Sequence, residues 1–262
     1  GVTVDTLDAL GCDVETLNAQ PDGSFPGRPS EPTAENCESL ATLVGESDAD
    51  LGIAHDGDAD RMRAVTADGD FLSGDVLLAL FGRDAANAGE RVAVPVDTSL
   101  AVADYLAEGD IETERTPVGD VYVAATAREQ GVAFGGEPSG AWIWPDETLC
   151  PDGPLAACKL AALAAERPLA ERAADIETYP IRRTSVEVAD KATVMDRVRE
   201  TVAERFDEVS TLDGVRVDRG DGWFLLRASG TQPLIRVTAE ARDPDRAEDV
   251  FGEATDILAA VR

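Results

Sequence analysis

Three aspartates stand at alternate positions in the stretch GIAHDGDADRMRAV (52–65). Asp56, Asp58 and Asp60 come just after a short apolar run, and Arg61 follows them directly. Carboxylates at this spacing in a loop can converge through their oxygen atoms on one hard cation. The pattern therefore predicts a cation site at the end of a strand.

Two other interpretations of this stretch must be weighed. A calcium EF-hand loop needs glycine at its sixth position and glutamate at its twelfth, where this chain has Arg61 and Ala67. An acidic turn without a ligand is the second alternative, because the whole chain is acidic. Mg²⁺, which is held by a few carboxylates together with a substrate phosphate, fits the pattern better than calcium.

A second stretch, GGEPSGAWIWPD (135–146), places Glu137 and Ser139 on a turn after a predicted strand. A carboxylate and a hydroxyl displayed in this way can hydrogen-bond neighbouring sugar hydroxyls. Taken alone, however, the stretch is more typical of an ordinary hairpin turn.

A third stretch, RASGTQPLIRV (227–237), combines a Ser-Gly-Thr turn with two arginines. Backbone N–H groups, hydroxyls and guanidinium groups together can hold a phosphate. The alternative is a hairpin whose arginines offset local acidic residues. The candidate ligands are Arg227, Ser229, Gly230, Thr231 and Arg236.

The elements that position these residues follow from apolar periodicity and turn residues. Strands are predicted at 12–17, 51–54, 63–67, 92–96, 111–115, 132–134, 142–144, 185–188, around 215, 223–227 and 234–240. Helices are predicted at 4–10, 33–45, 76–86, 100–107, 121–130, 156–165, 193–206 and 245–261. This order indicates an α/β protein with two mostly parallel α/β sandwich domains, at 1–87 (incomplete) and 88–180, followed by a small α+β domain at 181–262.

The charge of the chain restricts its partners. Its 262 residues include 52 acidic and 23 basic ones, which gives a net charge of -29. Such a surface repels nucleic acid and anionic lipid, so neither is an expected partner. An acidic, lysine-poor composition is typical of a halophile, and we expect a cytoplasmic protein from a halophilic archaeon. No apolar run reaches the roughly 18 residues of a membrane span, and the four cysteines form no CxxC pair.

Taken in order, DGDADR, TPVGD, GGEPSG and RASGTQP resemble the motifs of the α-D-phosphohexomutase superfamily. The resemblance runs from about Leu7 to the C-terminus. It implies three α/β domains and a smaller α+β domain around a cleft. It also implies a phosphoserine in the first domain that exchanges its phosphoryl group with a sugar phosphate through a sugar bisphosphate.

The resemblance also implies roles for individual residues. Mg²⁺ is the implied cofactor, held by the three aspartates, and Arg61 would lie beside the transferring phosphate as a catalytic residue. Glu137 and Ser139 would contact the sugar. The loop that holds the non-reacting phosphate would contain Arg227, Ser229, Gly230, Thr231 and Arg236.

Three departures from the family pattern matter. The chain begins at Gly1 and has no Ser-His-Asn segment, since His55 is its only histidine. We therefore expect a fragment that lacks the first domain and is inactive alone. Ala141 stands where histidine is common, and Gln232 where glutamate is usual, which puts the sugar specificity in doubt.

One further residue bears on which sugar is expected. The VGD stretch, which contains Asp120, resembles the corresponding motif of phosphoglucosamine mutases. The negative charge of Asp120 would favour an amino sugar. Conversion of glucosamine 6-phosphate to glucosamine 1-phosphate is therefore the expected reaction. A phosphomannomutase/phosphoglucomutase is the alternative, and a pentose phosphate is also left open as the substrate. A non-catalytic metal- or carbohydrate-binding module is a more remote alternative. The oligomeric state is left open.

Overall fold

Three separate sheets organise the computed structural model, which describes residues 1–262. The helices are α1 (Val2–Ala9), α2 (Glu38–Gly45), α3 (Gly74–Ala85), α4 (Leu100–Ala107), α5 (Asp120–Ala127), α6 (Gly153–Glu166), α7 (Leu169–Ala174), α8 (Lys191–Arg205) and α9 (Pro244–Val261). The strands are β1 (Leu51–His55), β2 (Met62–Thr66), β3 (Arg91–Pro95), β4 (Glu112–Thr116), β5 (Val132–Gly136), β6 (Trp142–Ile143), β7 (Ile181–Glu187), β8 (Val209–Ser210), β9 (Val215–Asp218), β10 (Gly222–Ala228) and β11 (Leu234–Ala241). None of these helices combines the length and the apolar character needed to cross a bilayer.

The first sheet is an antiparallel hairpin of β1 and β2. The strand predicted at 12–17 is wrong: these residues are largely exposed and follow α1 as irregular chain. A strand needs a neighbour that satisfies its backbone N–H and C=O groups, and no strand lies beside this segment. The segment 12–17 therefore forms no strand although it contains apolar residues.

The second sheet has the order β4-β3-β5-β6. β3 is parallel to both β4 and β5, whereas β6 pairs antiparallel with β5. The α/β class and the three-domain arrangement are confirmed, with mixed rather than uniformly parallel sheets. Because the carboxyl ends of β3, β4 and β5 share one edge, the loops that follow them meet there.

One large core joins the first two sheets. It includes Met62 of β2, Phe81 of α3, Phe134 of β5 and Trp142 of β6, all fully buried. The Phe81 ring contacts Trp142 edge to face at 5.3 Å. Burial of each large apolar side chain stabilises the fold by about 1.5–3 kcal/mol. The hairpin that carries the aspartates is thus packed firmly on the second sheet.

The third sheet is antiparallel, in the order β7-β11-β10-β9-β8. Helices α8 and α9 cover one face through a separate core that includes Val198, Phe224 and Ile257. The opposite face carries Trp223 and Leu225, which pack with Val96 of the second unit. The C-terminal α+β domain therefore lies directly against the second sheet.

A buried carboxylate fixes this contact. Glu240 of β11 is completely buried. It accepts hydrogen bonds from Ser99 Oγ at 2.5 Å, Leu100 N at 2.7 Å and Trp223 Nε1 at 2.7 Å. Leu100 N lies at the amino end of α4, where a negative charge is favoured by the helix dipole. Arg216 stacks on Trp223, with its guanidinium carbon 3.9 Å from the ring centroid.

Asp75, in the first turn of α3, provides a prediction about pH. Its Oδ1 accepts a hydrogen bond from Ser99 N at 2.9 Å, and burial raises its pKa from 3.8 to about 6. Because the folded state holds this proton more tightly, the stability contributed by Asp75 is full below pH 3.8 and is lost as pH rises through about 6. Asp75→Asn keeps an acceptor oxygen without the charge. We expect it to raise the unfolding free energy at neutral pH and to flatten this pH dependence.

The measurement is urea unfolding at a series of pH values, followed by tryptophan fluorescence. Asp70→Asn is the matched control, because Asp70 is an exposed aspartate on the turn after β2. An Asp75→Asn protein with the same pH dependence as the Asp70→Asn protein would contradict the prediction.

Candidate functional site

The three aspartates lie together in the loop between β1 and β2. One carboxylate oxygen from each of Asp56, Asp58 and Asp60 falls within 4.8 Å of the others. The loop is closed by Arg61 N, which donates to Asp56 Oδ1 at 3.1 Å. Ala59 adopts a left-handed conformation, with φ of 61°. This tight turn directs the three side chains to one side.

The electrostatics of the loop favour a cation. Burial, a hydrogen bond with Asp56 and the charges of Asp56 and Asp58 raise the pKa of Asp60 to about 6. Arg61 offsets part of this repulsion, with its Nε 3.8 Å from Asp56 Oδ2 and 3.9 Å from Asp60 Oδ1. Oxygen donors with unbalanced negative charge are the ligand set that Mg²⁺ prefers. The residues present therefore fit this ion.

The predicted sugar loop, which carries Glu137 and Ser139, is joined directly to the predicted metal loop, which carries the three aspartates. Arg61 and Ala141 form an isolated antiparallel bridge. Met62 N donates to Gly140 O at 3.0 Å, and Trp142 Nε1 donates to Met62 O at 2.9 Å. The structure thus brings the aspartates and the GEPSG turn together, although about 75 residues separate them in the chain.

Glu137 of the sugar loop is a buried carboxylate, with 8% of its surface exposed. Its Oε1 accepts from Gly119 N at 2.7 Å, and Ser139 Oγ donates to its Oε2 at 3.4 Å. Burial, followed by the charges of Asp97 and Asp120, raises the pKa of Glu137. Carboxylates from the loops after β3 and β4 therefore act electrostatically on Glu137, which follows β5, at one edge of the second sheet.

The predicted phosphate loop forms the hairpin between β10 and β11. Arg227 and Arg236 are directly opposite in the register of these strands, so their side chains project from the same face. Like charges in this position repel each other unless an anion lies between them. Ser229 is buried, whereas Gly230 and Thr231 lie exposed at the tip.

One acidic residue links the phosphate loop to the sugar loop. Asp213 Oδ2 accepts from Arg227 Nη1 at 3.2 Å and from Val118 N at 3.0 Å. The next residue, Gly119, donates to Glu137. A continuous series of contacts therefore connects the metal loop, the sugar loop, the TPVGD loop and the phosphate loop.

Three residues of this site were not predicted from the sequence. Asp213 carries no local signal, because it is one acidic loop residue among many. Lys191 donates to Ser229 O at 2.5 Å and Gln232 O at 2.8 Å, and so fastens the phosphate loop. The only feature of the sequence that could have pointed to Lys191 is that lysine is rare in this chain. Arg183 lies opposite Thr238 in the β7–β11 register, and so on the same sheet face as Arg236.

Comparison with known families accounts for most of the chain. Profiles of the Phosphoglucomutase/phosphomannomutase family match residues 1–69 as alpha/beta/alpha domain II, 73–179 as alpha/beta/alpha domain III and 184–257 as the C-terminal domain. The three matches follow one another in the order of the three structural units.

Individual proteins agree with these matches. A probable phosphoglucosamine mutase from Methanopyrus kandleri is 49% identical over 98% of this chain and 58% of its own length. A probable phosphoglucosamine mutase from Methanosarcina acetivorans is 46% identical over 98% of this chain and 59% of its own length. The crystal structure of a phosphoglucomutase/phosphomannomutase family protein from Burkholderia thailandensis superposes with a TM-score of 0.85, at 28% identity, over 98% of this chain and 57% of that one. The chain spans somewhat more than half the length of these relatives, and it belongs to the phosphoglucomutase/phosphomannomutase family.

Proposed function

We propose that residues 1–262 supply the metal, sugar and non-reacting phosphate sites of a phosphosugar mutase. The favoured reaction interconverts glucosamine 6-phosphate and glucosamine 1-phosphate through a bisphosphate. The observation that carries the proposal is the series of contacts from Arg61 through Glu137 to Arg227. These contacts join the loops that we propose to hold the two ends of a sugar phosphate.

Each group has a task in this reaction. Mg²⁺, held by Asp56, Asp58 and Asp60, would offset the charge on the transferring phosphoryl group. Arg61 adds a second positive charge beside it. Glu137 and Ser139 orient the sugar through its hydroxyls, and the arginines of the phosphate loop hold the other phosphate. A remote clamp of this kind aligns the reacting hydroxyl with the phosphoryl group and so lowers the entropic part of the barrier.

The phosphoryl group itself needs a donor. We place the serine that carries it outside these 262 residues, so that the chain alone binds sugar phosphate without turning it over. In the complete reaction the serine phosphate is transferred to the free sugar hydroxyl. The bisphosphate then turns within the site and returns its other phosphate to the serine.

The preference for an amino sugar follows from charge. Asp97 and Asp120 lie close enough to Glu137 that their charges, after burial, contribute to raising its pKa. A protonated amine on the sugar is attracted to this group of carboxylates, whereas a hydroxyl gains less from it. The names of the methanogen relatives are consistent with this choice.

Calorimetric titration of the 262-residue chain with glucosamine 6-phosphate in the presence of Mg²⁺ tests the proposal. We expect tighter binding than with glucosamine, inorganic phosphate or glucose 6-phosphate. Arg236→Gln should weaken sugar phosphate binding by about 10–100-fold, because it removes a charge-assisted hydrogen bond.

Arg182→Gln is the matched control for this titration. Arg182 belongs to β7 of the same sheet, but it is paired with Glu248 of α9 at 3.1 Å on the helix-covered face. Its loss should leave the affinity unchanged. Equal binding of glucosamine with and without phosphate would instead favour a simple carbohydrate-binding module.

A further inference from the structure

His55, the last residue of β1, has both ring nitrogens occupied. Nδ1 lies 2.9 Å from Arg61 O, and Nε2 lies 3.0 Å from Thr3 Oγ1 of α1. A carbonyl oxygen only accepts, so Nδ1 carries the hydrogen, and in the neutral ring Nε2 accepts from the threonine hydroxyl. The ring is therefore held in one tautomer and one orientation.

The contact reaches across the whole metal loop. His55 precedes Asp56 and Arg61 follows Asp60, so the hydrogen bond from the ring to Arg61 O joins the two ends of the loop. This bond draws the chain into a closed turn of which all three carboxylates are members. Neither ring nitrogen is free to accept a proton from a substrate, which excludes His55 as a general base in this arrangement.

Helix α6 supports the same loop through its first residue. Gly153 N, at the start of α6, donates to Ala59 O at 3.2 Å. A Cβ atom at position 153 would lie 2.5 Å from Ala59 O and 2.7 Å from His55 Nδ1. Ala59 has a positive φ, which a residue with a side chain keeps only where its surroundings hold it. The close approach of α6 thus stabilises an otherwise unfavourable backbone.

We propose that His55 is a positioning residue for cation binding. Its ring, oriented by Thr3, holds the ends of the aspartate loop together, while Gly153 holds the middle. The inference rests on the proposed function, because it assumes that the three carboxylates bind a divalent cation. Contacts that orient the ligands of a metal typically change its affinity by about 10–100-fold when they are removed.

The experiment measures Mn²⁺ binding to the 262-residue chain by electron paramagnetic resonance. His55→Ala removes both hydrogen bonds and should weaken Mn²⁺ binding by about 10–100-fold. The side-chain amide of His55→Asn can still donate to Arg61 O, and should recover most of the affinity. Thr3→Val removes only the group that orients the ring, and should weaken binding by less than His55→Ala does.

Two further readouts separate positioning from general damage. The affinity for inorganic phosphate reports on the phosphate loop. This affinity should be unchanged in all three variants. Gly153→Ala leaves His55 in place but crowds both Ala59 O and the His55 ring, and should also weaken Mn²⁺ binding. If His55→Ala does not fold, the Gly153→Ala variant provides the test instead.

The possible failures are distinguishable. A native chain that binds no Mn²⁺ would overturn the metal site of the proposed function and the inference with it. A native chain that binds Mn²⁺ no better than the folded His55→Ala or Gly153→Ala variants would overturn the inference alone. Parallel losses of Mn²⁺ and phosphate affinity, without recovery in His55→Asn, would show a merely structural role.

Discussion

Asp58→Asn is expected to weaken Mg²⁺ or Mn²⁺ binding by more than about 100-fold, a larger loss than removal of a supporting contact causes. The three carboxylates converge within 4.8 Å, and Asp58 is the most exposed of them. The substitution preserves size and one oxygen, but it removes a full negative charge from the ligand set. Calorimetric titration of the 262-residue chain with Mg²⁺ measures the loss directly.

Asp48→Asn is the control for charge alone. Asp48 is an exposed aspartate in the turn before β1, outside the cluster. The Asp48→Asn substitution removes one negative charge, as Asp58→Asn does, and should not change the affinity for Mg²⁺. Saturating Mg²⁺, at about 100 times its dissociation constant, should also stabilise the native chain by about 2.7 kcal/mol. An Asp58→Asn protein that behaves like the Asp48→Asn protein in both experiments would show that the aspartates are an ordinary acidic turn.

The regular elements were predictable where periodicity and end signals agree. The helix at 100–107 was predicted with its observed bounds, because Ser99 caps it and an apolar pattern follows. The final helix, predicted at 245–261, begins one residue earlier, after the capping Asp243. Local signals of this kind arise within a few residues, so a single sequence contains them.

Other elements depend on contacts that the sequence does not display. The segment at 12–17 has apolar residues but no neighbouring strand, so the predicted strand does not form. Helix α7 was missed because it has only six residues, and β8 because it has two. Short elements are stabilised by their tertiary neighbours rather than by their own propensity.

The same distinction applies to the candidate site. The aspartates, Glu137 and the arginines were identifiable because each motif is contiguous. Asp213 and Lys191 act on loops that are distant in sequence, and only the folded chain shows their contacts. The positions of the motif residues were therefore accessible from sequence, but the connections between them were not.

Glu240→Ala is expected to lower the unfolding free energy by about 3–5 kcal/mol, because each buried donor left without an acceptor costs about 1–3 kcal/mol. The carboxylate is completely buried and accepts three hydrogen bonds. Alanine leaves Leu100 N and Trp223 Nε1 buried without an acceptor. Arg216, which stacks on Trp223, also loses a nearby negative charge.

Glu240→Gln separates the geometry from the charge. The amide oxygen can still accept from Leu100 N and Trp223 Nε1, and the amide NH₂ can donate to Ser99 Oγ. We expect a smaller loss of about 1–2 kcal/mol. Glu187→Ala, at an exposed position on β7, removes the same charge from the same sheet and should have little effect. Urea unfolding followed by tryptophan fluorescence compares the three variants.

The consequence for ligand binding follows from where Glu240 lies. The phosphate loop belongs to the third sheet, whereas the sugar loop belongs to the second, and Glu240 fixes one sheet against the other. Under conditions where Glu240→Ala remains folded, it should therefore bind glucosamine 6-phosphate more weakly than the native chain, while its Mg²⁺ affinity is unchanged. An Ala variant with native stability and native sugar phosphate affinity would show that the two domains are held together by their apolar contacts alone. Equal losses of stability in the Gln and Ala variants would instead assign the effect to the charge of Glu240 rather than to its hydrogen bonds.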